Sequence, residues 1–291
     1  MLVGSIEAGG TKFVCAIGND KLEIVDIISF PTTTPTETMG EVIEYFQQFD
    51  IKALSIASFG PIDINVNSST YGFITTTPKQ GWRNFDFLKT LKQKFNIPIF
   101  WTTDVNAAAY GEAIVDKSID SLVYYTIGTG IGGGAIQKGE FIGGVSHTEM
   151  GHTFVKRHPK DLDFLGVCPF HGDCLEGLAS GPTIEKRLGI SAELLDDNHK
   201  IWDIISFYIA QAAMQATLIL APEKIVFGGG VVSRKGIIEK IRQNFKLLIN
   251  DYVQIRDVDT YIVGSSYQEN QAATIGNFSI ALNNLKESNI D

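Results

Sequence analysis

The chain has 291 residues, 24 Lys and Arg against 33 Asp and Glu, a formal charge of −9, 44% hydrophobic residues and three cysteines. At roughly 150 residues per domain this length predicts two domains whose cores need no disulfide framework. The acidic balance, without any run of Lys and Arg, argues against nucleic acid and anionic membranes as partners and favours a small molecule. No stretch approaches 18 uninterrupted apolar residues, and MLVGSIEAGG lacks a signal-peptide pattern, so a cytoplasmic protein is expected.

In chain order, Leu2 to Ile6 and Phe13 to Ile17 read as strands joined by the turn Glu7-Ala8-Gly9-Gly10-Thr11-Lys12. Thr38 and Glu41 fit a capping box, and Met39, Val42, Ile43 and Phe46 then mark one helical face. Ala53 to Ala57 and Ile97 to Trp101 read as buried strands, the second leading through Thr102, Thr103 and Asp104 into a helix across Asn106 to Glu112. The polar stretch near 113–121 predicts a domain boundary, giving domains 1–117 and 118–291, with the last helix free to pack back on the first. Leu122 to Ile127 then restarts the plan as a strand followed by a glycine turn and another short strand. Ile204 to Leu220 reads as a helix, Ile225 to Phe227 as a strand, and Ile237, Ile238, Ile241, Phe245, Leu248 and Ile249 as a further helix face. Strands alternating with helices predict an α/β class.

The 29 glycines, about one residue in ten against a usual ~7%, cluster after apolar strands. Gly9-Gly10-Thr11, Gly128-Thr129-Gly130 and Gly228-Gly229-Gly230 are turns in which missing side chains let backbone N–H groups approach an anion. Any one of them would more often be a plain hairpin turn. None fits a Walker loop or a dinucleotide fingerprint; the third could present a nucleotide to the N-terminus of the following helix.

His152, Cys168, His171 and Cys174 are spaced by 16, 3 and 3 residues. Two thiolates and two imidazoles suit tetrahedral Zn²⁺, and four protein ligands suggest a closed structural site. A disulfide between Cys168 and Cys174 is the lesser alternative, and Cys15 reads as core. Asp104, where a strand meets a helix, could be a general base favoured in its ionised form by the helix N-terminus, or simply an N-cap.

The segments Glu7-Ala-Gly-Gly-Thr-Lys12, Thr103-Asp104-Val-Asn-Ala-Ala-Ala-Tyr-Gly-Glu112, Thr126-Ile-Gly-Thr-Gly-Ile-Gly-Gly-Gly134 and Glu149-Met-Gly-His152 together resemble the signatures of the ROK sugar kinases. Cys168-Pro-Phe-His-Gly-Asp-Cys-Leu-Glu-Gly177 is similar to the zinc-containing bacterial fructokinases of that family. The resemblance implies a two-domain actin-like, ribonuclease-H-like ATPase fold with ATP and sugar meeting in an interdomain cleft. It implies Asp104 as the catalytic base, sugar contacts from Asp104, Glu149, His152 and Glu176, and ATP contacts from Gly9, Gly10, Thr11, Lys12, Thr129, Gly130, Pro182, Gly228, Gly229 and Gly230. It further implies Mg²⁺, a structural zinc on His152, Cys168, His171 and Cys174, and a homodimer. Two positions depart from the commoner pattern: Glu7 stands where many members have Asp, and Thr103 replaces an Asn that helps bind glucose. The expected activity is phosphorylation of fructose by ATP to fructose 6-phosphate; the alternatives are another sugar, such as glucose, mannose or an N-acetyl amino sugar, or a sugar-sensing regulator. The family's regulators carry an additional N-terminal DNA-binding module, for which Glu7, so near the start, leaves no expected room.

Overall fold

The computed structural model describes residues 1–77, 79–268 and 271–287. The first half opens with β1 (Leu2–Ala8), β2 (Lys12–Asn19), β3 (Ile24–Pro31), α1 (Pro35–Phe46) and β4 (Ile51–Ser58). It continues through β5 (Phe73–Ile74), β6 (Phe85–Asp86), α2 (Phe87–Lys92), β7 (Ile99–Thr103) and α3 (Asp104–Val115). Then come β8 (Leu122–Ile127), β9 (Ile131–Gln137), β10 (Glu140–Phe141), α4 (Leu175–Ala179), α5 (Gly181–Leu188) and α6 (Ile201–Leu220). The chain closes with β11 (Lys224–Gly228), α7 (Ile237–Ile249), α8 (Val258–Tyr261), β12 (Ile262–Gly264) and α9 (Gln271–Glu287). It divides into two units, the first made of Met1–Val115, Phe141–His147 and the segment from Tyr267 onward, the second of Asp116–Glu140 and Thr148–Ser266. Residues 288–291, where the expected second domain ends, lie outside the described residues.

The two units repeat one sheet plan. In the first the strand order is β3-β2-β1-β4-β7, with β1 antiparallel to β2 and parallel to β4. In the second it is β10-β9-β8-β11-β12, with β8 antiparallel to β9 and parallel to β11. Each plan is a hairpin extended by parallel strands, so each sheet has one end at which the parallel strands finish and loops gather, the end where open α/β sheets bind ligands.

Burial explains the elements. In the first unit Phe13, Trp82, Phe87 and Trp101 join Ile6, Leu54 and Ile56 in one apolar cluster, with Phe13 and Phe87 stacked at 6.0 Å. The buried Trp82 still satisfies its indole N–H, donating to the Thr33 carbonyl at 2.8 Å. Helix α9 covers the opposite face: Phe278 packs with Val3, Ala16 and Ala53. Asn277 beside it donates to Ser5 Oγ at 3.0 Å and accepts from Ser55 Oγ at 2.9 Å, so this buried amide is paired. In the second unit α6 is long and apolar enough, by length and composition, to cross a membrane. Its Trp202, Ile205, Tyr208, Ile209, Ala212 and Ala213 are fully buried, which makes it the core helix of that unit.

Two local expectations need correction. The capping box of α1 is Thr34 with Glu37, four residues before the expected Thr38 and Glu41: Thr34 Oγ1 accepts the Glu37 N–H, and Pro35 starts the helix. Both pairs have the right spacing, and proline at the first helical position decides between them. Helix α7 begins at Ile237 behind Gly236, so the turn at Gly228 to Gly230 does not open directly onto its N-terminus.

Candidate active site

In the first unit the placement of the candidate residues follows from strand register. Glu7 pairs with Ala57, while Ala57 and Ser58 pair with Thr102 and Thr103, so β1, β4 and β7 finish side by side and carry Glu7 and Asp104 to the same end of the sheet. Thr103 is buried, and its Oγ1 accepts the Asn106 N–H at 3.2 Å. That hydroxyl occupies the capping position, so capping does not account for Asp104, which sits in the first turn of α3 and accepts the adjacent Val105 N–H at 2.9 Å. Burial, and then the charge of Asp104, push the Glu7 carboxyl up to about 8 against the opposing pull of Lys12. Carboxyl oxygens are the hard donors that Mg²⁺ takes, and a bound cation would offset the cost of ionising Glu7 beside Asp104.

The turn between β1 and β2 is tightly organised. The Gly9 N–H donates to the Lys12 carbonyl at 3.0 Å, and the Thr32 hydroxyl donates to the Gly9 carbonyl at 2.7 Å. Gly9 therefore shapes the hairpin, while Gly10, Thr11 and Lys12 are exposed at its tip.

In the second unit Gly228 pairs with Thr126 across β11 and β8, which brings the turns at Gly128-Thr129-Gly130 and Gly228-Gly229-Gly230 next to one another. The Val231 N–H donates to the Ile127 carbonyl at 3.0 Å, and Gly181 at the start of α5 donates to the Gly128 carbonyl at 2.7 Å. Gly229 has φ +92°, and a Cβ there would lie 2.5 Å from the Ile127 carbonyl oxygen, so this close approach requires glycine. These three segments wall a cavity of about 890 Å³ lined by Gly128, Thr129, Pro182, Glu185, Gly230 and Arg234, among others. Of the expected nucleotide residues in this unit, Thr129, Pro182 and Gly230 line it, while Gly130, Gly228 and Gly229 are not among the lining residues. Gly228 faces Tyr124, whose hydroxyl fills the space a Cβ would need.

Arg234 was not legible as a site residue. It donates to the carbonyls of Ala192 at 2.6 Å and Leu195 at 2.7 Å, reaches Asp197 at 3.0 Å and lies 4.9 Å from the Trp202 ring. It thereby holds the 191–197 loop on the cavity rim. The pair Arg234-Lys235 soon after a glycine turn was the available signal.

The four metal-ligand candidates converge. One nitrogen or sulfur from each of His152, Cys168, His171 and Cys174 lies within 4.8 Å of all the others. His152 Nδ1 is 3.7 Å from Cys168 Sγ and 3.6 Å from Cys174 Sγ, and His171 Nδ1 is 3.8 Å from Cys168 Sγ. Zn–S bonds of about 2.3 Å and Zn–N bonds of about 2.0–2.1 Å at a tetrahedral angle would put sulfur and nitrogen about 3.6 Å apart, so the donor set fits zinc. The cysteines are free thiols, and burial first, then Cys168, push Cys174 up to about 11, a cost that thiolate coordination to a cation removes. Arg157 braces the loop leading into the knuckle: it reaches Asp173 Oδ2 at 2.9 Å and donates to the carbonyls of Asp161 and Phe164.

Glu149 directly precedes the turn carrying His152, and Glu176 stands in the first turn of α4, two residues after Cys174. The expected sugar contacts of the second unit are thus attached to the metal-ligand scaffold, whereas Asp104 belongs to the first unit.

The ROK family pattern matches residues 3–284. The chain belongs to the ROK family. It is 53% identical over 284 residues to the fructokinase of Streptococcus mutans, covering 96% of this chain and 97% of that one. It is likewise 53% identical over 279 residues to the fructokinase of Lactococcus lactis subsp. cremoris, covering 96% of each. The ROK hexokinase of Thermus thermophilus shares the fold with a TM-score of 0.81 at 20% identity, over 99% of this chain and all of that one. This ROK chain therefore has the two-unit α/β architecture of the family's sugar kinases.

Proposed function

We propose that the protein is an ATP- and Mg²⁺-dependent fructokinase that converts D-fructose to D-fructose 6-phosphate. The observation that carries this reading is the 53% identity to curated fructokinases along nearly the whole of both chains. The arrangement of residues in each unit supports it.

Phosphoryl transfer requires alignment of a hydroxyl with the γ-phosphorus, neutralisation of phosphate charge and a group to take the hydroxyl proton. In this reading the Asp104 carboxylate takes the proton of the sugar 6-hydroxyl. The O6–Pγ bond forms as the bond from Pγ to the bridging oxygen breaks, and ADP leaves with that bond's electron pair. Thr129, Pro182 and Gly230 contact the nucleotide in the second unit's cavity, and in the first unit the exposed hairpin tip of Gly10, Thr11 and Lys12 offers backbone amides and a cation to phosphate. Mg²⁺ would supply charge neutralisation at the phosphates, and Glu7, ionised when the cation is present, would be the carboxylate that faces it, which leaves Asp104 as the base. Glu149, His152 and Glu176 bind sugar hydroxyls; His152 turns Nδ1 to the thiolates, which leaves Nε2 to meet a hydroxyl. Zinc on His152, Cys168, His171 and Cys174 would hold this scaffold rather than activate water.

The fructokinase reading is tested by ADP release from ATP across fructose, glucose, mannose and N-acetylated amino sugars. Fructose is expected to dominate, and equal turnover of glucose would contradict the narrow specificity. A homodimer and a cytoplasmic location complete the proposal, the first resting on family resemblance and checked by light scattering.

A further inference from the structure

The carboxylate of Glu176 is turned toward the glycine turn after β8. Its Oε2 accepts the Ile131 N–H at 2.9 Å, and a Cβ on Gly130 would lie 2.8 Å from the same oxygen. Gly130 therefore makes room for this carboxylate, and the amide of Ile131 is already engaged by it. The turn is closed by the Gly128 N–H on the Gly130 carbonyl at 2.9 Å and anchored from its other side by the Gly181 N–H on the Gly128 carbonyl. Gly128 and Thr129, which line the nucleotide cavity, thus hang between Glu176 and the start of α5.

Glu176 is fixed in turn by the Cys-His knuckle. Cys174 is the N-cap residue of α4, and Glu176 lies in that helix's first turn. The knuckle is sewn to the helix by the Val167 N–H on the Gly177 carbonyl at 3.0 Å, and it closes on itself through reciprocal bonds between Cys168 and Gly172. The short run from Cys174 to Pro182 accordingly carries a metal-ligand sulfur, a carboxylate on the nucleotide turn and part of the cavity wall.

We propose that Glu176 is a positioning residue through which the Cys-His knuckle fixes the Gly128 to Ile131 turn, so that metal occupancy and nucleotide affinity are coupled. The inference rests on the metal and nucleotide assignments above. A charge-assisted bond from an amide to a carboxylate is stronger than a neutral one, and this one ties the turn to a helix whose N-cap residue, Cys174, would be a metal ligand. Releasing the metal frees Cys174, loosens the first turn of α4 and lets the carboxylate leave Ile131. By linkage, bound nucleotide tightens the metal by the same factor.

The test is calorimetric titration of ADP, without sugar, into wild-type protein, E176A and E176Q, each metal-loaded and chelator-stripped, with metal content measured by mass spectrometry. Omitting sugar keeps any loss of a sugar contact out of the result. Loaded E176A is expected to bind ADP about tenfold more weakly, within the usual range of coupling between sites, and E176Q, which retains an acceptor oxygen, to stay within about threefold of wild type. Stripping is expected to weaken wild type comparably and to add little in E176A. E176A binding ADP as wild type does, or losing as much on stripping as wild type loses, overturns the inference. A preparation that holds no metal after expression with added zinc overturns the knuckle assignment instead, and the comparison of E176A with E176Q then decides the role of Glu176 alone.

Discussion

Thr103 Oγ1 accepts the backbone N–H of Asn106 at 3.2 Å, so the residue before Asp104, rather than Asp104 itself, caps helix α3. Thr103→Ala is expected to lower stability by about 1 kcal/mol, the usual value of a lost N-cap, read from urea unfolding. Thr103→Asn keeps a capping side chain and adds an amide. Its stability is expected to stay close to that of wild type while turnover of glucose rises relative to fructose. An unchanged sugar ratio would remove this position from the specificity argument.

Glu7 gives a pH dependence with a defined sign. Burial and the neighbouring Asp104 raise its folded pKa to about 8 from 4.5. Its contribution to stability is therefore fully present below pH 4.5 and is lost as the pH rises toward 8. Glu7→Gln removes this cost of ionisation, so the ligand-free variant is expected to gain melting temperature on wild type between pH 5 and pH 8. Parallel melting curves across that range would contradict the assignment.

The donor set built by His152, Cys168, His171 and Cys174 predicts one zinc per chain in protein purified without chelator. Stripping the metal leaves two buried thiols without a cation, and the melting temperature is expected to fall and to recover when Zn²⁺ is restored. Cys174→Ser is expected to lose the metal as well, measured by mass spectrometry. Metal content and melting point unaffected by chelator would refute a structural zinc.

The ion pair between Arg187 and Asp161 carries a stability prediction away from the chemistry. Their side chains are 7% and 6% exposed. Arg187 reaches the two carboxylate oxygens at 2.9 and 2.7 Å, and the Tyr208 hydroxyl donates to Asp161 at 2.7 Å. Arg187→Met leaves a buried carboxylate without its ion-pair partner, held only by the weaker Tyr208 hydroxyl bond and the Arg157 charge, and is expected to cost about 3 kcal/mol at pH 7. Burial alone would raise the Asp161 carboxyl, but the hydrogen bonds from Arg187 and Tyr208 outweigh it and hold it below its usual value. The stabilisation is therefore complete above the ordinary carboxylate pKa of 3.8 and lost as pH falls through the lower folded value. The gap between wild type and Arg187→Met in urea unfolding should narrow in that acid range.

What the sequence made legible was local. The central strands and the helices α6 and α7 announce themselves by apolar runs and periodicity, and the repeated strand-turn-strand at Glu7 and Thr126 anticipates two sheets of one plan. The metal-ligand set is legible because three of its four members fall within seven residues. Strand β3 is not legible in the sequence: Val25, Ile27 and Ile28 are exposed, so its apolar residues do not alternate with the faces of the sheet. Arg234 is illegible for another reason, since its partners Ala192, Leu195 and Asp197 lie 37 to 42 residues away in sequence and no short pattern encodes them. The glycine clusters are legible as turns after strands, but their separate packing duties are not, because whether a missing Cβ admits a carbonyl, a tyrosine or a carboxylate depends on a neighbouring strand or helix.

If Asp104 takes the proton of the sugar hydroxyl, Asp104→Asn should remove most of the rate. The variant keeps the shape of the side chain and removes its basicity. The measurement is kcat for fructose phosphorylation, made beside ADP titration and thermal melting to establish that the fold and the nucleotide site survive. General-base catalysis contributes about 10²–10⁴-fold, and a fall of that size with ADP affinity intact is predicted. A folded Asp104→Asn protein that phosphorylates fructose at a near-wild-type rate would show that Asp104 is not the base.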